Sequence, residues 1–226
     1  MVRMQSLAPQ TSVQKVVIAL AGVIVLSGCA TTQHIEERAG VAELPPMEKL
    51  RYEEGDSLVQ MDLKNDKEVT IVISEVAENG AYRGTSTTGC SWTNDGDFFS
   101  PSSSWDNCGT SPNWNKGRTQ QVSSEGTLWP LEVGNKASWK VTDYSNITGE
   151  KGSTGTRNCE VKSVVNITVA MGDIDAYKVV CSRDYGNRVV TRTWYMNPEL
   201  GEVKFLRKRS DKGLSSNREM LRKESI

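Results

Sequence analysis

The sequence predicts an all-β fold, a single antiparallel β-sandwich or half-open barrel, and three observations carry that expectation. Apolar residues alternate with polar ones at a period of two, as in Val59-Gln60-Met61-Asp62-Leu63 and in Tyr177, Val179 and Cys181. Turn pairs such as Asn65-Asp66 and Asn79-Gly80 separate these runs. Hydrophobic residues make up only 37% of a chain rich in Gly, Ser, Thr and Asn, a balance that suits a loop-rich β protein. No long window repeats apolar residues at helical spacing.

The elements follow in order. Strands are expected from Leu50 through Ala81-Tyr82-Arg83, forming an antiparallel meander in which Val69, Ile71 and Ile73 share a face. Residues 84–125 lack clear alternation and read as one long loop. A loop of that length in a compact domain is usually functional or cross-linked. Alternation returns at Leu128-Trp129-Pro130-Leu131-Glu132-Val133-Gly134, with Pro130 confined to a strand edge because it donates no ladder hydrogen bond. Trp139 and Val141 continue it, and the glycine-containing stretch Asn146 to Asn158 reads as a polar hairpin loop. Val161 to Val169, Asp175 to Ser182, Arg188 to Met196 and the run holding Val203 and Phe205 are the remaining strands. Turns are expected at Met171-Gly172-Asp173 and Asn197 to Gly201. The β domain is thus placed at 50–209. Residues 210–226 read as a frayed polar tail with a short helix at Asn217 to Lys223.

The N-terminus carries a separate message. Arg3 and Lys15 precede an apolar run, Val16 to Val25, which ends in Leu26-Ser27-Gly28-Cys29. Charged, apolar and then small residues are the layout of a secretory signal, and the run is shorter than the roughly 20 residues a spanning helix needs. The Leu-Ser-Gly-Cys ending resembles a bacterial lipobox. The resemblance implies that residues 1–28 are removed and that Cys29 is lipidated, with palmitate among its acyl groups, as the mature N-terminus. Ala30 follows it rather than aspartate, which by the same resemblance implies an outer-membrane address facing the periplasm. Residues 29–49 read as a flexible tether, about 20 residues spanning roughly 25 Å, with His34 in solvent.

Leader removal takes Arg3 and Lys15 from a chain whose net charge is already −1, so nucleic acid is not an expected partner. The expected partners are the membrane through Cys29 and an envelope protein or glycan. Setting Cys29 aside leaves Cys90, Cys108, Cys159 and Cys181, an even number in an exported chain. Four cysteines allow three pairings. The nearest-neighbour pairing, Cys90 with Cys108 and Cys159 with Cys181, is favoured because each closes one local loop, worth about 3 kcal/mol in the chain-entropy picture. Zinc is the competing use, but the chain has no CxxC pair and His34 is its only histidine.

Three segments, Trp129 to Gly134, Gly172 to Val179 and Trp194-Tyr195-Met196-Asn197-Pro198-Glu199-Leu200-Gly201, together resemble a group of bacterial envelope lipoproteins and exported proteins. The resemblance spans about Leu128 to Phe205 and implies an antiparallel β fold. It brings no catalytic residues.

Chemistry is sparse. A hydrolase needs a nucleophile beside a base, and no motif singles one out in a region without histidine. The run Gly149 to Gly155 has the wrong order for a phosphate-binding loop, and Asn94-Asp95-Gly96-Asp97 fails the EF-hand spacing. No catalytic residue, metal site or cofactor is therefore expected. What stands out is aromatic: Trp92, Phe98, Phe99, Trp105 and Trp114, with Asp95 and Asp97, in the loop 90–114. Flat rings beside carboxylates suit a sugar or a partner surface, or else a roof over the core. The function expected is a non-catalytic, lipid-anchored envelope module binding through this loop, with a carbohydrate or peptidoglycan binder as the alternative and a hydrolase a distant third.

Overall fold

The computed structural model describes residues 35–224 apart from 42 and 110, so Cys29, the leader and His34 lie outside the described residues. Thirteen strands are present: β1 (Glu37–Ala39), β2 (Ser57–Asp62), β3 (Lys67–Val76), β4 (Tyr82–Ser86), β5 (Ser91–Asn94), β6 (Ser104–Asp106) and β7 (Gly117–Gly126), then β8 (Lys136–Ser145), β9 (Lys151–Val169), β10 (Gly172–Asp184), β11 (Val189–Asn197), β12 (Gly201–Arg209) and β13 (Gly213–Glu224). One 3₁₀ turn, Pro112–Trp114, is the helical element among the described residues.

Strands β2 to β13 each pair antiparallel with their sequence neighbours. One further pairing, β13 with β2, completes a closed twelve-stranded barrel. The expected sandwich or half-open barrel is therefore a closed barrel. Closure removes the free edges that an open sheet must otherwise protect.

Closure also explains three differences from the sequence reading. The segment read as a polar tail with a short helix is β13, because pairing with β12 and β2 outweighs local helix preference. Residues 146–158, read as a hairpin loop, are mostly the first half of β9, whose small polar residues pair along β8. The long loop of 84–125 contains β5, β6 and most of β7, short or polar strands whose alternation is too weak to see. Likewise the tether is ordered from Ile35: β1 pairs with β9, and buried Met47 bridges to Leu131. Trp129-Pro130 lies between β7 and β8 rather than within a strand, and its peptide is cis.

A bulge in β9 divides the molecule into two cores. Val179 is opposite Val161 while Lys178 is opposite Ser163, so Lys162 is extra and alternation flips beyond it. Before the bulge Cys159 and Val161 join Tyr177, Val179, Cys181, Trp194, Met196 and Phe205 in the main core. After it Val165, Ile167 and Val169 join Ala176, Tyr195, Val203 and Met220 in a second cluster. Both disulfides have the nearest-neighbour pairing. Cys159–Cys181 joins opposed residues of β9 and β10 inside the main core, and Cys90–Cys108 ties the start of β5 to the chain just after β6.

Candidate functional site

The aromatic loop divides into two parts. Asn94 to Ser100 is a compact plug. Gly96 N–H donates to Asn94 Oδ1, and Asp95 accepts from the Ser100 hydroxyl. Asp97 accepts from Phe99 N–H and from Trp129 Nε1, each at 3.1 Å. These carboxylates fold the turn. Phe99 is fully buried, its ring 5.2 Å from Trp129 and 5.5 Å from Trp194, and Phe98 stacks edge-on against it. Phe98, Phe99, Asp95 and Asp97 therefore belong to packing.

The tryptophans are different. Trp92 and Trp105 are cross-strand partners on β5 and β6, and both are half-buried, as is Trp114. Each ring lies against a glycine. A Cβ at Gly84 would sit 2.6 Å from the Trp92 ring, at Gly117 2.3 Å from Trp105, and at Gly152 2.5 Å from Trp114. Close approach of a ring to bare backbone fills the space a glycine leaves in a strand. Trp92 and Trp105 also line a shallow cleft of about 210 Å³ with Arg83, Asp106, Lys116 and Asn146. There Lys116 donates to Asp106 at 2.8 Å and holds its carboxyl below the ordinary range, the hydrogen bond being the main cause.

The densest unbalanced chemistry lies elsewhere. Strand register places three rows of side chains across β9, β10, β11 and β12. The first is Val161, Val179, Trp194 and Phe205. The second is Cys159, Cys181, Arg192 and Arg207. The third is Arg157, Arg183, Val190 and Arg209. Alternation puts all three rows on one face, so arginines continue the face that carries the main core. Arg157 is opposite Arg183, and Arg192 is opposite Arg207. Like charges directly opposite one another are destabilising in a sheet.

Only part of this charge is matched. Arg183 is 3% exposed; its Nη1 donates to Asp143, with 3.0 Å to Oδ2, and its Nη2 donates to Ser153 O. Thr119 Oγ1 holds Asp143 in turn, at 3.1 Å. Arg157, 8% exposed, donates from Nη1 to the carbonyl of Phe99 at 3.0 Å, tying the plug to the wall. The Nε groups of Arg157, Arg183 and Arg207 are buried without a hydrogen-bond partner. Among the described residues, no carboxylate lies within ion-pair distance of Arg157, Arg192 or Arg207. Burial and then Arg192 push the Arg157 guanidinium well below its ordinary value, and the same two causes bring Arg207 to about 10. Half-buried Tyr185 reports the field as well. Burial pushes its phenol up, yet Arg192, Arg183 and Arg157 together push it further down. The guanidiniums of Arg183 and Arg188 lie over its ring at 4.5 and 4.9 Å.

This cluster escaped the sequence reading, although a signal existed. Arg183, Arg192 and Arg207 each fall two residues from Cys181, Trp194 and Phe205, on the face that alternation assigned to the core. Arg157 fell in a stretch read as loop. Among the described residues no group of three or more His, Cys, Asp or Glu is placed to hold a metal ion. No family model, curated protein or solved structure matches the chain.

Proposed function

We propose that this chain is a lipid-anchored bacterial envelope protein, held to the periplasmic face of the outer membrane through Cys29, whose barrel is a non-catalytic binding module. One observation carries the binding reading: guanidinium groups gathered on the core-lining face without enough carboxylates to match them. An unmatched buried charge is costly, and a fold that retains several has a use for them. Disulfides in both halves of the barrel fit an oxidising compartment. Replacing Cys29 with Ser should abolish labelled palmitate incorporation and move the protein from the membrane to the soluble periplasmic fraction. Retention of label in that variant refutes the anchor.

A second reading, glycan binding, is favoured by the Trp92–Trp105 cleft and its polar rim of Asp106, Lys116 and Asn146. Stacking on a half-buried tryptophan is a common mode of sugar recognition. Binding to peptidoglycan fragments that falls at least tenfold in Trp92→Ala and Trp105→Ala would support it. Binding unaffected by both removes it.

A further inference from the structure

Resting on the reading of the barrel as a binding module, we infer that its ligand carries a phosphoryl group, seated among Arg157, Arg192 and Arg207. The arrangement itself selects the chemistry. Arg192 and Arg207 are cross-strand partners, so their side chains leave the wall about 5 Å apart. Arg157 is nearby on β9, close enough that Arg192 is the strongest charged influence on it. Arg183 does not compete, since Asp143 and Ser153 occupy its terminal nitrogens. Three guanidiniums with no carboxylate within ion-pair distance therefore extend from neighbouring positions on one face of the sheet. They carry forked donors, and the Nε of Arg157 and of Arg207 is unused.

A carboxylate brings one charge and two oxygens to three cations. A phosphate monoester brings close to two charges and three equivalent oxygens, and guanidinium forks match its geometry. The other charged groups near the site do not supply that balance. Arg188 and Arg209 add positive charge, and Asp211 pairs with Arg209. Asp143 and the Tyr185 phenol are the anionic or ionisable oxygens that face the cluster. Seating an anion would satisfy the open donors and remove the opposed-charge penalty together.

The test is calorimetric titration of the full chain with inorganic phosphate, glycerol 3-phosphate and lysophosphatidate micelles, with acetate as the monoanionic comparison. The expected result is single-site binding of at least one phosphoryl probe. Affinity should fall at least tenfold in Arg192→Gln and in Arg207→Gln, each checked for a cooperative melt, and should stay unchanged in Lys64→Gln, at an exposed turn. Glycerol 3-phosphate binding identifies a soluble ligand, whereas binding of the lysolipid alone identifies a headgroup. Acetate binding as tightly as phosphate, or phosphate affinity indifferent to both arginine variants, overturns the phosphoryl assignment but leaves an anion-binding barrel standing. If none of the probes binds, the phosphoryl assignment and the arginine wall as a binding site both fall, and only the Trp92–Trp105 cleft still carries a binding reading.

Discussion

The same four strands build two adjoining layers of opposite character. At one level Val161, Val179, Trp194 and Phe205 pack with Phe99 and Trp129, their rings 5.2 to 5.5 Å apart, into an apolar, aromatic layer. One to two steps along each strand, on the same face, stand Arg157, Arg183, Arg192 and Arg207, and the Nε of Arg157, Arg183 and Arg207 is buried and unbonded. The Cys159–Cys181 disulfide lies at the boundary. The first layer is what a fold needs to be stable. The second is matched only in part: Arg183 has Asp143, while Arg192 and Arg207 have no carboxylate partner, and that surplus charge is more than stability asks for.

Substitutions in the two layers should differ in size and then in sign. Trp194→Ala empties the centre of the aromatic layer and should cost about 3–5 kcal/mol in denaturant unfolding. A loss below 1 kcal/mol would mean that the layer is not the packed core described here. Arg183→Met comes next. It strands Asp143 beside a missing partner and should cost about 3 kcal/mol. Arg192→Met should act in the opposite direction. It removes an unmatched charge and keeps the side chain's bulk, so the ligand-free protein should be neutral to about 1 kcal/mol more stable. Should Arg192→Met destabilise as much as Arg183→Met, the contrast between matched and unmatched arginines is gone.

How much of this was legible in the sequence follows from the same layers. The aromatic layer was readable because Tyr177, Val179 and Cys181 alternate cleanly, and the cysteine pairing was recoverable because each bridge closes a local loop. Barrel closure was not readable. It depends on β13 meeting β2, strands about 150 residues apart in sequence, and β13 is written largely in helix-forming polar residues such as Arg218, Glu219 and Arg222. The plug was ambiguous for a related reason. Phe98 and Phe99 in a polar stretch fit a binding surface or a roof over the core equally well until Arg157, far along the chain, is seen to hold the carbonyl of Phe99. The arginine cluster was hidden by composition: a net charge of −1 says nothing about where cations gather. Leu26 to Cys29 speaks to location through residues outside those described.

Tyr185 gives the smallest but most direct reading of the difference between the layers. Burial alone would raise its phenol, and the guanidiniums of Arg192, Arg183 and Arg157 reverse that, leaving it below the ordinary value of 10.0. Tyr52, Tyr82 and Tyr195 move the other way, burial being the main cause in each. A folded-state value below the unfolded one means that ionised Tyr185 adds stability, fully present above pH 10 and lost as pH falls through the folded value. Below the folded value that contribution is gone, so Tyr185→Phe leaves the electrostatic part of stability unchanged there, and the two proteins should separate as pH rises through it. In an ultraviolet titration the wild type should show an early tyrosinate step that Tyr185→Phe lacks, and Arg192→Met should move that step upward. Adding inorganic phosphate should move it upward too, because an anion seated among the guanidiniums cancels the field that lowers it. A Tyr185 step that comes no earlier than those of the other tyrosines would show that the positive layer is already neutralised within the fold.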